Sequence, residues 1–173
     1  LLRQVGVEFE LLLLRDRSPR GPDVSEQILP DEKAEDYVAR VTREKAEYGA
    51  KVILWRRLPL RPVLAADTTV VVDGRILGKP ADSAEAMEML RLLSGRTHQV
   101  LTSVALHFDD NTSQVTQTSD VTFATLSDDM IRAYCASSES YDKAGGYAVQ
   151  GLAAAFIERI TGSYSGIMGL PLY

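Results

Sequence analysis

The sequence predicts a mixed α/β domain, and three observations carry the prediction. An apolar stripe at helical spacing runs through residues 31–51, two valine- and threonine-rich runs cover 63–72 and 97–108, and helical and strand-like segments alternate along the rest. Hairpin turns separate some of the strands, so the alternation implies a mixed sheet.

Taken in order, residues 7–14 form a nearly continuous apolar run and read as a short strand. Residues 18–30 hold Pro19, Pro22, Pro30 and Gly21 among charges and read as a loop. The helix over 31–51 follows Pro30, carries acidic residues in its first turn, and has Ala34, Tyr37, Val38, Val41 and Tyr48 on one stripe. Residues 63–72 read as a buried strand, Asp73-Gly74 as a hairpin turn, and 75–77 as the strand that pairs back.

Asp82 with Glu85 resembles a capping box that opens a helix through Met87, Leu90 and Leu93, with Gly95 as its C-terminal cap. Residues 97–108 alternate, with Val100, Thr102, Val104, Leu106 and Phe108 on one face. A turn at Asp109-Asp110-Asn111 leads to a strand over 112–124, and Ser127 caps a short helix reaching Ala136. Residues 137–146 read as a loop, 152–160 as a strand, Thr161-Gly162 as a turn and 167–172 as a final apolar segment.

With 173 residues, 45% hydrophobic and 25% charged, the chain has ordinary globular composition and the length of one domain, in one or two lobes. Its net charge of −5, without a long basic block, speaks against duplex nucleic acid as a partner. A small anionic substrate needs only local cations and a metal. The single cysteine, Cys135, permits no internal disulfide framework and fits a reducing cytoplasm. No apolar run approaches a membrane span, and no signal peptide is visible, although the chain opens on Leu1 rather than Met.

Asp67 interrupts the apolar run Val63-Leu64-Ala65-Ala66-Asp67-Thr68-Thr69-Val70. An ionised carboxylate in a buried strand is costly unless a cation offsets it, so Asp67 is either a functional carboxylate or a strand-end cap. Lys45 stands on the inward stripe of its helix, four residues after Val41 and three before Tyr48. It must snorkel or meet an anion. Lys79, in Gly78-Lys79-Pro80, is a loop lysine beside a glycine that permits close approach. One buried carboxylate and two lysines are a minimal set for phosphoanhydride hydrolysis with Mg²⁺ or Mn²⁺, and a metal there wants a second acidic partner for Asp67.

His98 and His107 read as solvated or hydrogen-bonded residues on one polar-biased strand face. Cys135 reads as a buried inert thiol, and Gly145-Gly146 lacks the pattern of a dinucleotide site.

Several ordered motifs add a resemblance that spans almost the whole chain. They are Arg43-Glu44-Lys45-Ala46, Ala66-Asp67-Thr68-Thr69-Val70-Val71, Leu77-Gly78-Lys79-Pro80 and Leu93-Ser94-Gly95-Arg96-Thr97-His98. Asp142-Lys143-Ala144-Gly145-Gly146-Tyr147, Gln150-Gly151, Gly162-Ser163-Tyr164-Ser165 and Gly169-Leu170-Pro171-Leu172 complete the set. Together they resemble the Maf and Maf-like nucleoside triphosphate pyrophosphatases.

The resemblance implies an elongated, twisted mixed sheet flanked by helices, two lobes with a cleft between, and a homodimer. It implies that water attacks the α-phosphate with a divalent metal bound. Asp67 then matches the catalytic proton acceptor near the metal, Glu26 a second acidic metal-site residue, and Lys45 and Lys79 the lysines that hold the triphosphate. Thr68 and Gln150 match positions tied to base preference in the branch acting on dTTP and UTP, and a Gln amide can both donate to and accept from a pyrimidine edge. The implied role is house-cleaning of nucleotide pools.

Family members carry a strand and a Ser-x-Ser-Pro-Arg-Arg loop before the segment matching Leu1-Leu2, and a C-terminal helix beyond the segment matching Tyr173. Both are expected to be absent from this chain. Ser18-Pro19-Arg20 follows Gly6-Val7-Glu8-Phe9 and reads as a chance match to that loop. Two other readings compete: a pyrophosphatase of 7-methyl-GTP or broad range, and a nucleotide-binding regulator of septum formation.

Overall fold

In the computed structural model, which describes residues 1–14 and 23–173, one sheet has the strand order β2-β1-β3-β4-β5. The strands are β1 (Val63–Val72), β2 (Arg75–Leu77), β3 (Thr97–Phe108), β4 (Asn111–Phe123) and β5 (Ile157–Thr161). The flanking helices are α1 (Ala34–Trp55), α2 (Ser83–Leu93), α3 (Asp128–Cys135) and the single turn α4 (Tyr164–Ile167).

The α/β class agrees with the sequence reading, but every pairing among the described strands is antiparallel, so the sheet is not mixed. The chain order explains the difference. β2 and β3 do run in the same direction, joined by α2 as a parallel crossover would be. β1 lies between them and is antiparallel to both, so no parallel ladder forms. Tight turns join β1 to β2 and β3 to β4, whereas β4 reaches β5 through α3 and the loops after it. Asp73 and Gly74 both adopt left-handed backbone (φ 50° and 75°), the geometry of a two-residue hairpin whose twist suits the strands it joins.

Side chains alternate across β1, and the two faces of the sheet build two cores. Val70 and Val72 pack with Val100 and Phe123 beneath Leu90 and Leu93 of α2 and Ile131 of α3. Val71 and Leu101 pack on the other face against Tyr37, Val38 and Val41 of α1. Caps set the helix starts: Asp82 Oδ1 accepts from the Glu85 N–H at 2.9 Å, and Ser127 Oγ accepts from the Met130 N–H at 3.3 Å.

Three boundaries differ from the sequence reading. Residues 7–14 form no strand; a 3₁₀ turn over Leu2–Val5 precedes them, and Leu11 and Leu13 are 79% and 72% exposed. An apolar run becomes a strand only if an edge receives it, and periodicity alone does not supply the edge. The helix expected from residue 31 starts at Ala34 because Asp31 is left-handed (φ 58°), and it runs on to Trp55. Of the strand expected over 152–160, only the part from Ile157 pairs with β4; Leu152–Phe156 coils into a 3₁₀ segment.

Candidate active site

A cleft of about 240 Å³ crosses the sheet at the edge of β1. Among the described strands β2 pairs only with Val70–Val72, so there the first part of β1 has a neighbour, β3, on one side alone. Residues 66–69 therefore form an open rim, and the cleft reaches both faces of the sheet there. The loops around Lys79 and residues 142–150 close it on one side, Glu26 and Tyr37 on another, and Ile167 and Met168 on a third.

Lys45 is the electrostatic node. Its Nζ lies 2.6 Å from Asp67 Oδ1 and 2.6 Å from Glu26 Oε1. Burial alone would pull the Lys45 ammonium below its ordinary pKa, but the two carboxylates outweigh burial and hold it above. The carboxylates themselves are driven apart. Asp67, with its side chain 18% exposed, is held above the usual carboxylate range because burial outweighs Lys45. Glu26, 48% exposed, is affected first by burial, but Lys45 and Lys79 together hold it below that range. Within one ion-paired cluster the Asp67 carboxyl is thus shifted up and the Glu26 carboxyl down.

The segment that carries Glu26 is tied to α1. The Tyr37 hydroxyl donates to the Glu26 carbonyl at 3.1 Å, and Arg40 Nη2 donates to the Gln27 carbonyl at 2.9 Å. Arg40 is itself fixed by Glu32 at 2.7 Å, which holds the Glu32 carboxyl down to about 2. Neither Tyr37 nor Arg40 stands out in the sequence as more than part of a helix.

Lys79 lines the cleft on a loop fixed by the Gly145 N–H, which donates to the Gly78 carbonyl at 2.9 Å. Gly145 is left-handed (φ 69°), and a Cβ there would come within 3.0 Å of Val70, so the loop can approach β1 only with glycine.

Gln150 lines the cleft between two anchors. Before it, the Ala148 N–H donates to the Tyr134 hydroxyl at 3.3 Å. After it, the Glu139 carboxylate accepts from the Leu152 N–H at 3.0 Å and the Ala153 N–H at 3.4 Å. The anchors are joined, since Tyr134 donates to Glu139 Oε1 at 2.9 Å. A Cβ on Gly151 would overlap that carboxylate. Glu139 lies in a polar loop, and no pattern in the sequence distinguishes it.

Thr68 points to the face opposite Asp67, as strand alternation requires. Its Oγ1 is 2.8 Å from Thr102 Oγ1, and Thr102 donates onward to the Gly166 carbonyl at 2.7 Å.

Both histidines are hydrogen-bonded, but their placement on one strand face is corrected. His98 and His107 are nine residues apart on one strand, which places them on opposite faces. His98 is 2% exposed, with Nε2 2.7 Å from the Tyr147 hydroxyl and its ring edge-on to Phe123 at 5.0 Å. Burial pushes its pKa down to about 4, so it is neutral at pH 7. His107 Nδ1 is 2.8 Å from Thr112 Oγ1. Cys135 is buried, and burial raises its thiol pKa, which suits an inert role. Ser18-Pro19-Arg20 lies outside the described residues.

Among the described residues no group of three or more His, Cys, Asp and Glu side chains converges as a metal cage. The carboxylates that line the cleft are Glu26, Asp67 and Asp142; Lys45 gathers the first two, and Asp142 pairs with Lys143 at 2.7 Å. Among the described helices, none is long and apolar enough to cross a membrane.

Comparison with known proteins gives a consistent picture. A family model described as "Maf-like protein" matches residues 1–173. The "dTTP/UTP pyrophosphatase" of Nitrosomonas europaea is 54% identical over 173 residues, covering 100% of this chain and 84% of the relative. The protein of the same name in Aromatoleum aromaticum is 52% identical, with 100% and 84% covered, and that of Ralstonia nicotianae 51%, with 100% and 83% covered.

Proposed function

The chain belongs to the Maf-like protein family, and we propose that it hydrolyses dTTP and UTP to the monophosphate and pyrophosphate, clearing nucleotide pools. The observation that carries this reading is one cleft in which Lys45 gathers Asp67 and Glu26 while Lys79, Thr68 and Gln150 line the walls. The names of the relatives favour pyrimidine nucleotides over 7-methyl-GTP and favour an enzyme over a purely regulatory protein.

In this proposal Asp67 is the proton acceptor. Its raised pKa gives it the affinity to take a proton from water as the water oxygen bonds to the α-phosphorus. The bond from that phosphorus to the bridging oxygen breaks, and pyrophosphate leaves with the electron pair. Lys45 keeps the carboxylates in place, and Lys79 brings positive charge to the phosphate chain.

The donor set fits a hard divalent cation. Mg²⁺ or Mn²⁺ takes oxygen ligands and is commonly bound by one or two carboxylates with phosphates and water completing the shell. Asp67 and Glu26 would hold it, and it would supply charge neutralisation on the phosphates. A homodimer and a cytoplasmic setting belong to the same proposal; Cys135 as the single cysteine suits a reducing compartment.

The test is the fate of the water oxygen. Hydrolysis of UTP in ¹⁸O-water should place the label in the monophosphate and leave pyrophosphate unlabelled. Label in released inorganic phosphate, with UDP as the other product, would contradict attack at the α-phosphorus.

A further inference from the structure

Thr102 is fully buried on β3, directly across the ladder from Thr68. Its hydroxyl has one proton, and the 2.7 Å bond to the Gly166 carbonyl uses it, because a carbonyl can only accept. In the 2.8 Å contact between the two threonines Thr68 must therefore be the donor. Its proton points into the protein, and the Thr68 hydroxyl offers only lone pairs to the cleft that it lines.

We propose that Thr102 is a positioning residue that makes Thr68 an acceptor, and that this polarity selects pyrimidines protonated at N3 over cytosine. The inference rests on the reading of the cleft as a site for dTTP and UTP. Uracil and thymine present N3–H between two carbonyl oxygens; cytosine presents a bare N3 lone pair beside an amino group. Gln150 cannot make this distinction alone, because its amide can turn over to present a donor or an acceptor as the base requires. A group whose proton is already committed cannot adapt in that way. Meeting the cytosine N3 would set lone pair against lone pair, which leaves both groups unpaired in a partly enclosed site.

Opposite faces of β1 keep the two jobs separate. Asp67 faces α1 and Lys45, whereas Thr68 faces Thr102 and the α4 turn, so the proton wire can be altered without touching the charged set. Gly169 stands over the same hydroxyl: a Cβ there would be 3.6 Å from Thr68 Oγ1.

The experiment measures kcat/KM for UTP and CTP in the wild type, T102V and T102S. Valine removes the buried acceptor for Thr68, whose hydroxyl can then turn and donate to cytosine. The UTP-to-CTP ratio should fall about tenfold or more in T102V, the worth of roughly one hydrogen bond, and return in T102S. Loss of activity on both nucleotides at an unchanged ratio would give Thr102 a structural role only and overturn the inference.

A second measurement needs no variant. The wild type should hydrolyse UTP methylated at N3 far more slowly than UTP, and equal rates would overturn the inference as well. A wild type that releases pyrophosphate from neither dTTP nor UTP overturns the substrate reading, and this one with it. A wild type that favours UTP while T102V keeps the ratio overturns this one alone.

Discussion

Lys45 Nζ and Asp67 Oδ1 meet at 2.6 Å and join the middle of α1 to the open rim of β1. The ion pair forms where β1 has no second neighbour among the described strands, because β2 pairs only with Val70–Val72. A carboxylate deeper in the sheet would be enclosed by strands on both sides. At the rim it stays reachable from the cleft and still keeps a raised pKa.

Replacing Lys45 with methionine should test that balance. Asp67 and Glu26 would face each other without their shared cation, and the Asp67 carboxyl would rise further. The proton acceptor works only when ionised, so the acid limb of the pH–rate profile should move to higher pH. kcat/KM at neutral pH should fall about a hundredfold. A profile measured on UTP that loses height without moving its acid limb would contradict the coupling.

His98 predicts a pH dependence of stability. Its folded pKa of about 4 lies below the ordinary histidine value of 6.5, so between these values the unfolded chain binds a proton that the native chain refuses. Stability from this source is complete above about pH 6.5 and declines as the pH falls toward 4. The full loss amounts to about 3 kcal/mol. Urea unfolding of wild type and His98→Gln at steps across that window checks it: the wild-type curve should carry the steeper slope.

Glu139 should matter to Gln150 without touching substrate. Its carboxylate accepts from Tyr134, Leu152 and Ala153, and these contacts hold the backbone on either side of Gln150. Glu139→Ala should cost about 2 kcal/mol of stability. KM for UTP should rise more than kcat falls, because the chemistry at Asp67 lies elsewhere in the cleft. Steady-state kinetics with a thermal melt would reveal the opposite pattern if the segment does not depend on Glu139.

Some of this architecture was legible in the residues themselves. Strands β1 and β3 were readable to their ends because runs rich in valine and threonine are bounded by Pro62, Asp73-Gly74, Gly95 and Asp109. Asp67 was conspicuous as a carboxylate in such a run, and Lys45 as a cation on an apolar stripe. Their contact with Glu26 was not legible, since it joins three segments that only the folded chain brings together. Residues 7–14 were misread because an apolar run does not reveal whether an edge awaits it. The antiparallel sheet was missed because local patterning shows a crossover helix but not the strand inserted beneath it. Glu139 gave no signal, as its three accepted bonds depend on loops that meet in space.

The central claim is that Asp67 accepts the proton in pyrophosphate release from pyrimidine nucleoside triphosphates. The most direct measurement is pyrophosphate release from dTTP, UTP, CTP, GTP and 7-methyl-GTP with Mg²⁺ or Mn²⁺, comparing the wild type with Asp67→Asn. The account predicts release from dTTP and UTP that falls about a thousandfold or more in a folded Asp67→Asn protein. Undiminished release by Asp67→Asn, or a folded wild type that prefers 7-methyl-GTP, would contradict it.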